Sequence, residues 1–157
     1  MAKATILSVD DDEDLQFVVK EYLESDGYKV LRAHSLKEFD MWSAQGAGID
    51  LVLLDLVLKE AEGLSLIAII KDKIKAPIII VSGKTDTTEK IVCLEMGADD
   101  YITKPIKPAI TLARVKSQLD LKAARDWLAD RNQALEAEVS RRMAENLFIQ
   151  NVTIRCL

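Results

Sequence analysis

Five side chains suited to phosphoryl chemistry stand at the carboxyl ends of apolar runs that lie far apart in this 157-residue chain. Asp10 and Asp11 follow Ile6-Leu7-Ser8-Val9, Asp55 follows Leu51-Val52-Leu53-Leu54, Ser82 follows Ile78-Ile79-Ile80-Val81, and Lys104-Pro105 follows Tyr101-Ile102-Thr103. Open parallel sheets build their sites outside the carboxyl ends of their strands. Gathered there, these groups make a pocket for a divalent cation and a phosphoryl group. Asp11 and Asp55 offer the hard oxygen ligands that Mg²⁺ prefers, with Asp10 reaching the ion through water. Clustered carboxylates without a cation repel one another, and at least one then holds its proton. Beside the cation Asp55 stays ionised, and a carboxylate oxygen is a competent nucleophile toward phosphorus. Lys104 would neutralise charge on the transferred group. Each group taken singly has a plainer explanation: a helix cap and first turn for Asp10-Asp11-Asp12, a tight turn for Ser82-Gly83, a solvated surface charge for Lys104. Their joint placement at the ends of four strands is what favours a site.

The elements that must hold these residues are short β-like runs alternating with longer helical patterns. Strands are expected at Ala4–Val9, Tyr28–Ala33, Asp50–Leu54, Pro77–Val81 and Tyr101–Ile102, and helices at Glu13–Ser25, Ser35–Ala44, Gly63–Lys73 and Thr87–Glu95, with a fifth beginning near Lys107. Such alternation implies right-handed crossovers and a parallel sheet covered on both faces. The third and fourth runs are continuously apolar, as strands buried on both faces should be. Gly27, Gly46, Gly48, Gly83 and Gly97 fall at the joints. The expected fold is α/β, a doubly wound five-stranded parallel sheet over residues 1–117.

Beyond Lys107 the pattern changes. No Gly follows residue 97 and no Pro follows 108, while Leu121, Ala124, Leu128, Leu135, Val139, Met143 and Leu147 recur at intervals of three, four or seven. The steps of four from Leu135 to Leu147 form a stutter in a strict heptad. A helix of roughly 45 residues would be about 68 Å long, too long to bury its apolar seam on a small domain. A partner helix is implied, and a parallel homodimer is the simplest source. A frayed tail is the alternative. Residues 118–157 are therefore expected to be a helical coiled-coil connector.

Composition bounds the rest. Residues 1–117 hold 15 Lys/Arg against 20 Asp/Glu, and residues 118–157 hold 6 against 6, which together give the net charge of −5. An acidic front domain argues against direct nucleic-acid binding. No apolar run approaches a membrane span and no signal-peptide pattern opens the chain. Cys93 and Cys156 have neither metal-ligand spacing nor a disulfide framework, so the expected location is the cytoplasm. His34 has no ligand partner in sequence and reads as a surface residue, Phe39 and Trp42 as core or helix surface, and Trp127 as a neighbour of the seam.

Residues 4–117 resemble the receiver domain of two-component response regulators, the CheY-like version of the flavodoxin-like fold. The resemblance is carried by Val9-Asp10-Asp11, Asp55, Gly63, Ser82-Gly83, Gly97-Ala98-Asp99-Asp100-Tyr101 and Lys104-Pro105, in order and with family spacing. It implies that Asp55 is the phosphoacceptor for a sensor histidine kinase or phosphotransfer protein. It also implies that Asp10, Asp11, Asp55 and the Val57 carbonyl hold Mg²⁺. Ser82, with Gly83 beside it, is then the switch hydroxyl, Tyr101 the switch aromatic and Lys104 the phosphate-pairing lysine, with a cis Lys104–Pro105 bond. Phosphorylation is expected to draw Ser82 toward the phosphate and let Tyr101 rotate inward, altering the face of the fourth helix, fifth strand and fifth helix. Two departures from the family pattern stand out. Lys59 occupies a place often held by Pro, which predicts a differently shaped loop, and Val57 and Lys84 occupy places that tune the lifetime of the aspartyl phosphate. No enzymatic activity is expected beyond self-phosphorylation and slow autodephosphorylation.

The tail carries a second resemblance. Glu136-Ala137-Glu138-Val139 with Arg141-Arg142, then Asn151-Val152-Thr153-Ile154-Arg155, is similar to the connector preceding HD-GYP cyclic-di-GMP phosphodiesterase domains. The chain stops inside an apolar helical pattern, as a chain truncated before an output domain would, and the tail could equally precede another effector or none. A rival reading is a phosphatase of the haloacid dehalogenase type with Asp10 as nucleophile, since Asp10-Asp11-Asp12 supplies an Asp-x-Asp after the first strand and Asp99-Asp100 a distal acidic pair. It leaves Asp55 and Lys104-Pro105 unexplained. A scaffold that uses the fold only for dimerisation would show no Mg²⁺-dependent phosphorylation.

Overall fold

The computed structural model describes residues 1–58 and 61–156, so the loop position Lys59 and the terminal Leu157 lie outside the described residues. Strands β1 (Thr5–Val9), β2 (Lys29–Ala33), β3 (Leu51–Asp55), β4 (Ile78–Ser82) and β5 (Asp100–Thr103) form one sheet in the order 2-1-3-4-5, with every pairing parallel. Helices α1 (Glu13–Ser25), α2 (Leu36–Ala44), α3 (Gly63–Lys73) and α4 (Thr87–Glu95) make the crossovers, and α5 runs over Pro108–Arg155. This order is a doubly wound sheet whose strand order reverses between β1 and β3, the place where such folds bind ligands.

Alternate residues of each strand enter two separate cores. Leu7, Leu54 and Ile80 pack with Phe39, Leu66 and Ile67 on one face. Ile6, Leu53 and Ile79 pack with Val19, Leu23 and Val115 on the other. Every residue of β3 and β4 is buried, which is why these strands read as unbroken apolar runs. Helix starts follow side-chain capping: Asp12 accepts from the Leu15 N–H at 3.1 Å, Ser35 from Glu38 at 3.3 Å, and Asp86 from Thr88 at 2.9 Å. Gly27 ends the α1 turn at φ 93° and Gly97 the α4 turn at φ 114°, a region that side chains with a Cβ avoid. Gly83 is not among the positive-φ glycines.

The structure departs from expectation at the strand ends. β3 continues through Asp55 and β4 through Ser82, because Asp55 pairs with Val81 and Ser82 with Thr103. An unexpected two-residue hairpin, Val57–Leu58 with Ala61–Glu62, precedes α3. It is closed by Gly63, whose N–H donates to the Leu56 carbonyl at 3.0 Å and where any Cβ would overlap the Leu56 backbone. The requirement for glycine here is steric rather than conformational.

The chain divides into two compact units, Met1–Asp120 and Leu121–Leu157. The division falls three residues later than the expected boundary at 117, because α5 is still buried at Gln118 as at Thr111 and Val115, and the change in composition does not mark where that buried face ends. Among the described residues, no helix is long and apolar enough to cross a membrane.

Candidate functional site

Two strand ends deliver the acidic cluster. β1 ends at Val9, so Asp10 and Asp11 sit just past the sheet edge, and β3 delivers Asp55 as its last residue beside β1. One carboxylate oxygen from each of Asp10, Asp11 and Asp55 lies within 4.8 Å of the others. Asp10 and Asp55 are each only 5% exposed, while Asp11 is half-buried.

Lys104 arrives from the far side of the sheet, after β5. Its ammonium group donates to Asp10 Oδ2 and Asp55 Oδ2 at 3.1 Å each. The Lys104–Pro105 peptide is cis. The remaining carboxylate oxygens are held by backbone: the Asp12 N–H donates to Asp10 Oδ1 at 2.9 Å and the Val57 N–H to Asp55 Oδ1 at 3.1 Å. Two carboxylates thus share one cation, with a third beside them. Burial pushes the Asp10 carboxyl above its ordinary range, the Asp12 N–H opposes that, and the charge on Asp55 pushes it further up. Burial pulls the Lys104 ammonium down, but its hydrogen bonds to Asp55 and Asp10 outweigh this and leave it raised. The cluster is therefore short of positive charge even with Lys104 in place. A converging set of hard oxygens with surplus negative charge fits a divalent cation such as Mg²⁺.

Beneath the cluster lies a residue that the sequence reading did not single out. Gln16, fully buried on α1, donates through Nε2 to the carbonyls of Ser8 at 2.9 Å, Asp10 at 3.1 Å and Ala33 at 3.1 Å. Its amide orientation is unambiguous, since the opposite flip would set Oε1 against three carbonyl oxygens. The Oε1 atom has no hydrogen-bond partner. Gln16 clamps the carboxyl ends of β1 and β2 and so fixes the backbone that carries Asp10. A glutamine on the buried face of a helix pattern was the available signal.

The flank of the site is made by β4, β5 and the loop after β4. Ser82 is fully buried, and its Oγ accepts from the Lys84 N–H at 3.2 Å. Gly83 is exposed beside it. Tyr101 is 7% exposed, with its hydroxyl donating to the Lys84 carbonyl at 2.9 Å. Burial raises the Tyr101 phenol's pKa, and the neighbouring Ser82 hydroxyl opposes the rise. The ring therefore already lies inward, the orientation expected only after phosphorylation. Lys84 points away along α4, with its ammonium 3.0 Å from Glu89 Oε1. Val57 is 57% exposed.

Residues 6–116 match the response regulator receiver domain, and the chain belongs to that family. The regulatory protein VanR of Enterococcus faecium is 41% identical over 114 residues, covering 73% of this chain and 49% of that protein. The TorCAD operon transcriptional regulatory protein TorR of Escherichia coli (strain K12) is 37% identical over 117 residues, covering 73% and 49%. The chain spans about half the length of the curated relatives it matches. Among solved structures, a CheY-like receiver domain from Methanospirillum hungatei JF-1 aligns with a TM-score of 0.71 at 31% identity, covering 78% of this chain and 98% of that one. The BeF3-activated DrrB receiver domain aligns at 0.68 and 30% identity, covering 76% and 99%. Receiver domains take a phosphoryl group on an aspartate from histidine kinases or phosphotransfer proteins and bind Mg²⁺ at an acidic pocket, and Asp10, Asp11 and Asp55 form such a pocket here. Neither the relatives nor the neighbours support the haloacid dehalogenase reading.

Proposed function

We propose that Asp55 is the phosphoacceptor of this receiver and that its phosphorylation by a sensor histidine kinase or phosphotransfer protein is Mg²⁺-dependent. The observation that carries the reading is the Lys104 ammonium, bonded at 3.1 Å to both Asp10 and Asp55 beside a third carboxylate. In the transfer, an Asp55 oxygen attacks phosphorus and a new O–P bond forms. The N–P bond to the donor imidazole breaks, its electron pair stays on nitrogen, and the product is an acyl phosphate. Asp10, Asp11, Asp55 and the Val57 carbonyl would hold Mg²⁺, which supplies positive charge against the incoming phosphoryl oxygens. Lys104 turns from the carboxylates to the phosphoryl group, the Ser82 hydroxyl donates to it, and burial of the cluster keeps competing water away.

Charge-assisted hydrogen bonds from Ser82 and Lys104 are each worth about 1.5–3 kcal/mol. Their sum of about 3–6 kcal/mol approaches the ~5.5 kcal/mol that moves a two-state equilibrium from 1:99 to 99:1. The face switched is that of α4, β5 and α5. α5 then passes the change to a homodimer seam of Leu121, Ala124, Leu128, Leu135, Val139, Met143 and Leu147, all exposed on the single chain. Residues 118–157 serve as the connector, in the cytoplasm, to an output domain. The stretch 136–155 supports a cyclic-di-GMP phosphodiesterase as that output, while the relatives named as transcriptional regulators support output through transcription. The receiver itself contributes no direct nucleic-acid or membrane contact and no turnover beyond its own phosphorylation and slow dephosphorylation.

The test is incubation with acetyl phosphate, with and without Mg²⁺, followed by peptide mapping. Phosphate on the peptide containing Asp55, formed only with Mg²⁺, is the expected result. Phosphate on Asp10 instead would revive the phosphatase reading, and no phosphate on either would overturn the proposal.

A further inference from the structure

The exposed residues of 121–139 define a register as well as an apolar stripe. Leu121, Leu128 and Leu135 recur every seven residues, and each is about half exposed on the single chain. Between Leu128 and Leu135 a seam must pass through residue 131 or 132, and beyond Leu135 it meets 138 or 139 correspondingly. One frame reads Leu128, Asn132, Leu135, Val139, and the other reads Leu128, Arg131, Leu135, Glu138. Glu138 is committed outside any seam, accepting from Arg141 at 2.9 Å and Arg142 at 2.8 Å. The first frame is the one that can be buried. It sets the leucines at d and Asn132 and Val139 at a, with Arg125 at the preceding a position, where its aliphatic stem can lie along the seam and its charge reach water. Ala124 then flanks the seam.

We propose, resting on the homodimer reading above, that this segment pairs in parallel with a second copy of the chain. Asn132 meets Asn132 of the partner subunit at the seam, and Arg131 pairs with Glu136 of the partner subunit. Two observations set the orientation. A buried Asn at an a position finds its equal only in a parallel pair, because antiparallel helices pack a against d and would bury the Asn132 amide against leucine without a partner. In the parallel frame Arg131 occupies a g position and Glu136 the facing e position of the next heptad, and symmetry makes the pair twice. Glu136 is available for this. No hydrogen bond or ion pair within the chain involves it among the described residues, and the positions three and four away on either side are Asn132, Gln133, Val139 and Ser140. Arg131 is held by its own helix, with its guanidinium 5.7 Å from the centre of the Trp127 ring. Beyond Val139 the steps of four to Met143 and Leu147 locally unwind the pair, so specificity resides in residues 121–139.

The test uses the full chain with Cys156→Ser, measured by sedimentation equilibrium and by oxidative cross-linking of added cysteines. A dimer is expected that Leu135→Asp abolishes. Arg131→Glu should weaken it about tenfold by setting like charges against each other twice, and adding Glu136→Arg should restore it to within about twofold. Asn132→Ile should tighten association and admit larger oligomers. Leu128→Cys and Leu135→Cys should each link to its own copy. A dimer abolished by Leu135→Asp but indifferent to the charge reversal overturns the proposed register. Disulfides that form only between chains substituted at different positions overturn the parallel orientation. Either result leaves the homodimer standing. A chain that is monomeric throughout, or a dimer untouched by Leu135→Asp, overturns both.

Discussion

Asp10 and Gln16 show how residues outside the proposed phosphoryl linkage set the properties of the site. The folded chain binds the Asp10 proton more tightly than the unfolded chain does, because the carboxyl is raised above 3.8 by burial and by Asp55. Stability from this group is therefore lost as pH rises from 3.8 through the raised value, and at neutral pH the ionised form works against the fold. Without divalent cations, Asp10→Asn is expected to raise the melting temperature at neutral pH by about 2–4 °C and to shrink the further gain from added Mg²⁺. Calorimetry in chelator and then in Mg²⁺ checks both, and an unchanged or lower melting temperature in chelator would contradict the charge imbalance. Gln16→Leu strips three carbonyls of a buried donor and is expected to cost about 1–3 kcal/mol in urea unfolding. It should also weaken Mg²⁺ binding, because the Asp10 backbone loses its clamp. A variant as stable as the parent would show that the Nε2 bonds contribute nothing.

At the scale of elements, the helices were the most legible part of the chain. α1, α3 and α4 have the bounds expected from Glu13–Ser25, Gly63–Lys73 and Thr87–Glu95, and for α1 and α4 the capping side chains Asp12 and Asp86 and the glycine stops Gly27 and Gly97 are local signals. Strand ends were less so. Asp55 and Ser82 read as the residues after a strand, yet backbone pairing does not depend on side-chain polarity and both belong to the sheet. The hairpin at Val57–Leu58 was invisible because it depends on Gly63 packing against Leu56. The acidic cluster was legible because each member follows an apolar run. Gln16 was not, since its partners lie 6, 8 and 17 residues away and exist only after β1, β2 and α1 have packed. In the loop after β4, Lys84 turns toward Glu89, which also raises its pKa. If Lys84 tunes the lifetime of the aspartyl phosphate, Glu89 competes with the phosphoryl group for it. Glu89→Gln is expected to change the dephosphorylation half-time about two- to fivefold, and Lys84→Ala should erase that difference. Equal half-times in all three proteins would remove Lys84 from any role in phosphate lifetime.

Across the whole molecule, charge and pattern divide the labour. The unit Met1–Asp120 contains the acidic cluster and its lysine, and the unit Leu121–Leu157 exposes an apolar seam with paired charges beside it. One helix, Pro108–Arg155, supplies residues to both, and this continuity supports a signal that begins at Asp55 and is read out by paired helices. Everything in that route depends on where the phosphoryl group is attached. Intact-mass spectrometry after acetyl phosphate and Mg²⁺ should show one added mass of about 80 Da, a single phosphoryl group. The same treatment of Asp55→Asn should show none. An equal adduct on Asp55→Asn, or no adduct on the parent chain, would contradict the assignment.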